Sequence, residues 1–157
     1  LGYRKEFNKP GQLLTIDLKH ISSEELELAD YWQGDEAGNP LVEQRADNLE
    51  NELNQLAQID YIHPFGKDGK VEAGAKSATR IIQNDFLLEE KSESGEWAIL
   101  PTFNNNLIYT ETIHALYGMV GNKVDKFSYQ LGLRGEYSDI KTELTETNEE
   151  NEQLYFN

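Results

Sequence analysis

The sequence predicts an all-β chain, an antiparallel meander of about five to six strands that forms part of a larger up-and-down barrel. Three observations predict it. Apolar side chains recur at every second position over several segments, which is the period of a strand. The connections between those segments run alternately short and long, as they do when tight turns occupy one rim of a barrel and extended loops the other. Charge follows the same alternation.

The elements follow in chain order. Lys9-Pro10-Gly11 is a turn signal, after which Leu14, Ile16 and Leu18 alternate with Thr15, Asp17 and Lys19. Ala46, Leu49, Leu53 and Leu56 recur at three- and four-residue steps, which is helical spacing, so residues 46–56 can be read as a helix. Ala57, Ile59 and Tyr61 then return to alternation, and residues 53–62 read as a strand. Residues 64–69 form a short link in which Asp68-Gly69 supplies the positive-φ turn of a hairpin. Over residues 70–83, Val71, Ala73 and Ala75 oppose Glu72, Gly74 and Lys76, small residues that suit a strand close to its neighbours.

Over residues 108–120, Tyr109, Ile113, Ala115, Tyr117 and Met119 share a parity that Glu111 interrupts. A second short link covers residues 121–125. The clearest strand spans residues 126–138: Phe127, Tyr129, Leu131, Leu133, Gly135 and Tyr137 alternate with Ser128, Gln130, Gly132, Arg134, Glu136 and Ser138. Residues 154–157 look like the opening of a further strand.

Between these lie polar stretches at residues 23–43, 86–105 and 139–153, expected as long loops. They hold most of the acid, including Glu24, Glu25, Glu89, Glu90, Glu149 and Glu150, whereas the short links carry Lys9, Lys67, Lys70, Lys123 and Lys126. One rim would be anionic and the other mildly basic.

Composition excludes several classes. The 157 residues carry 29 acidic and 14 basic side chains for a net charge of −15, which phosphate backbones would repel, so no nucleic-acid partner is expected. Cysteine is absent, which removes disulfides, thiolate metal sites and a thiol nucleophile. The chain opens Leu1-Gly2-Tyr3 and its one methionine is Met119, which reads as a processed product or excised piece.

Strands of ten residues or more are long enough to cross a bilayer at a tilt. Tyr and Phe on the apolar parity suit interfacial girdles, and Gln130, Arg134 and Glu136 on the other suit an aqueous lumen. For Arg134 and Glu136 the alternative role is a cross-strand salt bridge. The competing architecture is a small secreted or periplasmic β-sandwich, with the same apolar parity packed on a second sheet and acidic loops binding carbohydrate or protein.

The ordered set Tyr3-x-Lys5-x-Phe7-x-Lys9-Pro10-Gly11-x-Leu13, Asp60-Tyr61-x-His63-Pro64, Gly74-x-Lys76, Tyr109-x-Glu111-x-Ile113-x-Ala115-x-Tyr117 and Tyr129-Gln130-x-Gly132-x-Arg134-x-Glu136-Tyr137 resembles the barrel region of TonB-dependent receptors of the Bacteroidetes. The resemblance spans nearly the whole chain. It implies a barrel of about twenty-two strands in the outer membrane, plugged by a separate domain and importing scarce nutrients with energy from the TonB complex. On that reading residues 1–157 are one partial barrel segment without the plug. Its partners are outer-membrane lipid, the rest of the barrel, the plug, the TonB complex through the full-length protein, and an unidentified small-molecule or glycan ligand.

No catalytic residue, metal site or cofactor is expected. His20, His63 and His114 fall on separate strands without a ligand motif, His63 ordering the turn before Pro64. The pairs Glu24-Glu25 and Glu149-Glu150 fall in solvated loops where nothing buries them. Trp32 and Trp97, expected in long loops, are candidates for stacking on a ligand.

Overall fold

The computed structural model describes residues 1–38, 40–101, 103–147 and 149–157. It contains eight strands: β1 (Gly2–Glu6), β2 (Leu13–Gly34), β3 (Pro40–Phe65), β4 (Gly69–Lys91), β5 (Trp97–Ile99), β6 (Asn105–Val124), β7 (Phe127–Leu144) and β8 (Glu149–Phe156). All belong to one antiparallel sheet in the order β1-β2-β3-β4-β6-β7-β8. The short β5 pairs with β4 above β6, through Lys91↔Trp97 and Glu89↔Ile99, and so continues the lane that β6 occupies lower down. The sheet is open, with β1 and β8 as its outer strands.

The meander is the one the alternation predicts, extended by β1, β5 and β8. The competing sandwich is not. The described residues form a single layer, and the buried apolar side chains are Ala46 and Ala115 alone. Phe127, Leu131 and Leu133 are 69%, 68% and 82% exposed, on a face that no second sheet covers.

The two tightest connections lie at one end. Residues 66–68 join β3 to β4 and residues 125–126 join β6 to β7. The left-handed residue of the first is Gly66 (φ 58°), not the expected Gly69, which instead lies in β4 under the Phe65 ring. In the second it is Asp125 (φ 55°), a residue type that tolerates this region.

At the other end the expected loops turn out to be strand. β2, β3 and β4 run for 22, 26 and 23 residues, so residues 23–34 and 40–43 are paired, as are 86–91, 139–144 and 149–153. Within those stretches positions 39, 102 and 148 lie outside the described residues. Helix over 46–56 is likewise replaced by β3, whose residues pair on both sides from Gln44 onward. A paired ladder supplies every backbone donor and acceptor with a partner. Local apolar spacing cannot outweigh that once two neighbours are in place.

Cross-strand ion pairs support the polar extensions: Arg45 with Glu89 at 2.5 Å, Arg80 with Glu52 at 2.6 Å and Lys91 with Glu43 at 2.8 Å. Hydrogen bonds from Asn54 and Arg80 hold the Glu52 carboxyl below its ordinary range. A depressed carboxyl favours the folded ladder above its unfolded-state pKa, and the benefit fades as pH falls through the folded one. NMR titration should therefore place Glu52 below the ordinary glutamate range, and Arg80→Gln should move it upward. An unmoved titration would show that the pair does not form.

One close approach lies lower in the sheet. The Tyr117 side chain of β6 passes over Gly74 of β4, and its hydroxyl donates to Asp60 of β3. A Cβ at Gly74 would collide with that ring and stand 2.7 Å from Asp60 Oδ1. Gly74→Val should displace Tyr117 and cost about 1–3 kcal/mol by overpacking. The loss is readable as a lower urea midpoint of the folded barrel in micelles; Gly118→Val, where a Cβ meets nothing closer than 3.9 Å, is the control.

Candidate functional site

Register assigns each side chain to one of two faces, because directly opposed residues in an antiparallel pair share a side. One face is apolar over the lower half of the sheet. The row Ile16–Ile59–Ala75–Leu116–Gly135 crosses five strands, and Leu18–Ala57–Ser77–His114–Tyr137–Phe156 lies above it and crosses six. Below them run Leu14–Tyr61–Ala73–Gly118–Leu133 and His63–Val71–Val120–Leu131.

Aromatic rings bracket this band. At the turn end are Phe65, Tyr61 edge-on to Phe7 (6.1 Å), and Phe127 beside Tyr129 (6.4 Å). At its upper edge His114 lies parallel to Tyr137 (6.3 Å, 2°), with Phe156 against Tyr137 (5.0 Å). From Phe127 to Tyr137 the strand advances about 33 Å, which at a barrel tilt near 40° is roughly 25 Å of height, the thickness of an outer-membrane apolar band.

The opposite face at the same level is polar. Rows read Gln58–Lys76–Ala115–Glu136, Asp60–Gly74–Tyr117–Arg134 and Lys70–Gly121–Gln130. Gln58 Nε2 donates to Asp60 (2.8 Å) and to the Tyr117 hydroxyl (3.3 Å), while the Arg134 guanidinium lies 5.8 Å from the Tyr117 ring centre. Lys70 pairs with Glu72 at 2.5 Å. The result is a connected polar surface that water can wet, backed by an apolar one that it cannot.

Of the residues singled out from the sequence, Gln130, Arg134 and Glu136 share this polar face. The amide of Gln130 meets the Met119 sulfur. Arg134 binds Glu136 at 2.6 Å along its own strand, so the expected cross-strand bridge is corrected to an intrastrand pair. Trp32 and Trp97 are not in loops: they lie in β2 and β5, in one lateral row through Glu43 and Lys91, on the same side as the apolar band. Trp97 stacks with Arg45 (4.6 Å) and Lys91 (5.9 Å), which occupies a ring that a ligand would otherwise use. Trp32 is 62% exposed.

The histidines fall on three strands, as expected. His20 Nδ1 meets Gln55 at 3.3 Å, His63 Nδ1 meets the Tyr61 hydroxyl at 3.2 Å, and His114 stacks on Tyr137. Glu24 and Glu25, like Glu149 and Glu150, are strand neighbours rather than loop residues, so each pair points to opposite faces.

One parity assignment is also corrected. Tyr109, Ile113, Ala115, Tyr117 and Met119 lie on the polar face, opposite Thr142, Ser138, Glu136, Arg134 and Gly132, not on the side of Phe127. The apolar side of β6 is Leu116, Val120 and Val124. Asp60, Gln58 and Gly74, which seat Tyr117, were not legible as a group. Three strands bring them together, and no spacing in the chain announces it.

The profile of the outer membrane protein β-barrel family matches residues 5–157. Among solved structures, the chain is similar to the crystal structure of the ferric citrate transporter FecA in the unliganded form, with a TM-score of 0.63 and 13% identity. That likeness covers 99% of this chain and 22% of the transporter's, so the chain spans about a fifth of its length. No protein of curated function matches. With the family profile covering nearly every residue and an apolar band of bilayer height on one face of its sheet, the chain belongs to the outer membrane protein β-barrel family and lies in the outer membrane.

Proposed function

We propose that the chain is a wall segment of a TonB-dependent nutrient receptor of the Bacteroidetes kind, non-catalytic, with its apolar face toward lipid and its polar face toward a plugged lumen. The observation that carries this reading is the division of one sheet into an apolar band of bilayer height and a hydrogen-bonded polar surface behind it. Membership of the outer-membrane family and the likeness to a ferric citrate transporter support it. In this arrangement Gln130, Arg134 and Glu136 line the lumen beside Tyr117 and Asp60. The rest of the barrel, a plug and the TonB complex complete the receptor, and the imported ligand is a small molecule or glycan too scarce to enter by diffusion.

Two measurements test it. Leu131→Arg in the full-length protein should reduce membrane insertion by about 2–4 kcal/mol, the cost of a cation facing mid-bilayer lipid, whereas Gln130→Arg should insert normally. Equal tolerance at both positions would overturn the facing. Deleting the gene should slow growth on one limiting nutrient to the same extent as disabling TonB. A defect indifferent to TonB would overturn the receptor reading and leave a passive barrel.

A further inference from the structure

The apolar face is not uniformly filled. In its upper-edge row and the row beneath, side chains shrink to Ala57, Ser77, Ala75 and Gly135, leaving a groove of about 930 Å³. Its walls are larger: Ile16 and Leu116 on the lower side, Tyr137 and Phe156 at the end where the aromatic rings stack. At Leu18, Ala57 and Ser77 this groove meets a second depression of about 550 Å³ on the same face, lined by the row His20, Gln55 and Thr79. The lower compartment is hydrocarbon. The upper one offers an imidazole, an amide and a hydroxyl, from His20, Gln55 and Thr79.

An apolar trough that opens upward into a cluster of donors is shaped for an amphiphile standing upright. We propose that this pair of depressions is a specific site for one phosphorylated acyl lipid, its chains in the trough of Ala57, Ala75 and Ser77 and its phosphate at His20, Gln55 and Thr79. The proposal rests on the apolar face being the lipid side. The groove is cut into that face and continuous with it, so bilayer lipid is the occupant in direct reach. Capacity agrees: if a methylene fills about the volume of a liquid water, roughly 30 Å³, the trough holds on the order of thirty of them, as many as two ordinary acyl chains carry.

The test is native mass spectrometry of the full-length protein, purified from its membrane in mild detergent and washed extensively. Wild type should carry one retained phosphorus-bearing acyl lipid. Ala75→Trp, which fills the trough, should cut the retained fraction at least tenfold, and His20→Ala with Thr79→Ala should cut it several-fold without filling anything. Unheated gel migration reports that each variant is folded, and Ala57→Leu replaces Ala75→Trp if that change prevents folding. Bare wild-type protein, equal retention in all variants, or a retained polypeptide in place of lipid would each overturn the site. Failure of the underlying facing is distinguished separately. In Leu133→Trp the added indole should lose fluorescence to brominated phospholipid, and absence of that quenching relative to wild type would overturn the lipid side itself and the site with it.

Discussion

Hydrocarbon offers no hydrogen-bond partner, and the whole architecture answers to that constraint. Every backbone N–H and C=O crossing the bilayer must be met by another strand, because an unmet group costs several kcal/mol there. The six long or closing strands meet this by pairing continuously with their neighbours in antiparallel register. Once pairing is fixed, side chains have two destinations only, and the chemistry of each face follows from what it touches. No interior core is needed. Two buried alanines are all the buried apolar side chains the described residues possess, as a single layer with both faces outward allows.

The polar face is organised differently. Apolar contact cannot position its side chains, so hydrogen bonds do: Tyr117 is fixed by Asp60 and Gln58 across two strands, with Arg134 against its ring. Gly74 makes room for this arrangement. A larger residue there would push the ring off the wall and part the hydroxyl from its carboxylate. A hydrogen-bonded wall of this kind keeps its shape while wet.

Much of this was legible in the residues. The alternation from Phe127 to Tyr137 correctly gave a strand and its two faces, and the links at 66–68 and 125–126 fall within the short links expected there. Three features were hidden, each for a physical reason. Helical spacing over 46–56 arises because the leucines fall on both faces of β3, Leu49 and Leu53 on one and Leu56 on the other. Acidic stretches read as loops because both faces are wet above the band, which erases the period-two signal while leaving the ladder intact. The β6 parity misled because Tyr117 and Met119, apolar by type, serve the polar side through a hydroxyl and a sulfur. Composition records affinity for oil; it does not record which neighbour a side chain meets.

The length of β2, β3 and β4 carries a last consequence. Their paired segments continue well past the greasy belt, so this end of the sheet stands as a stiff pleated parapet instead of a fringe of loose chain. Residues 35–38 and 92–96 cap that parapet outside any ladder, so substitution there leaves the masonry beneath undisturbed.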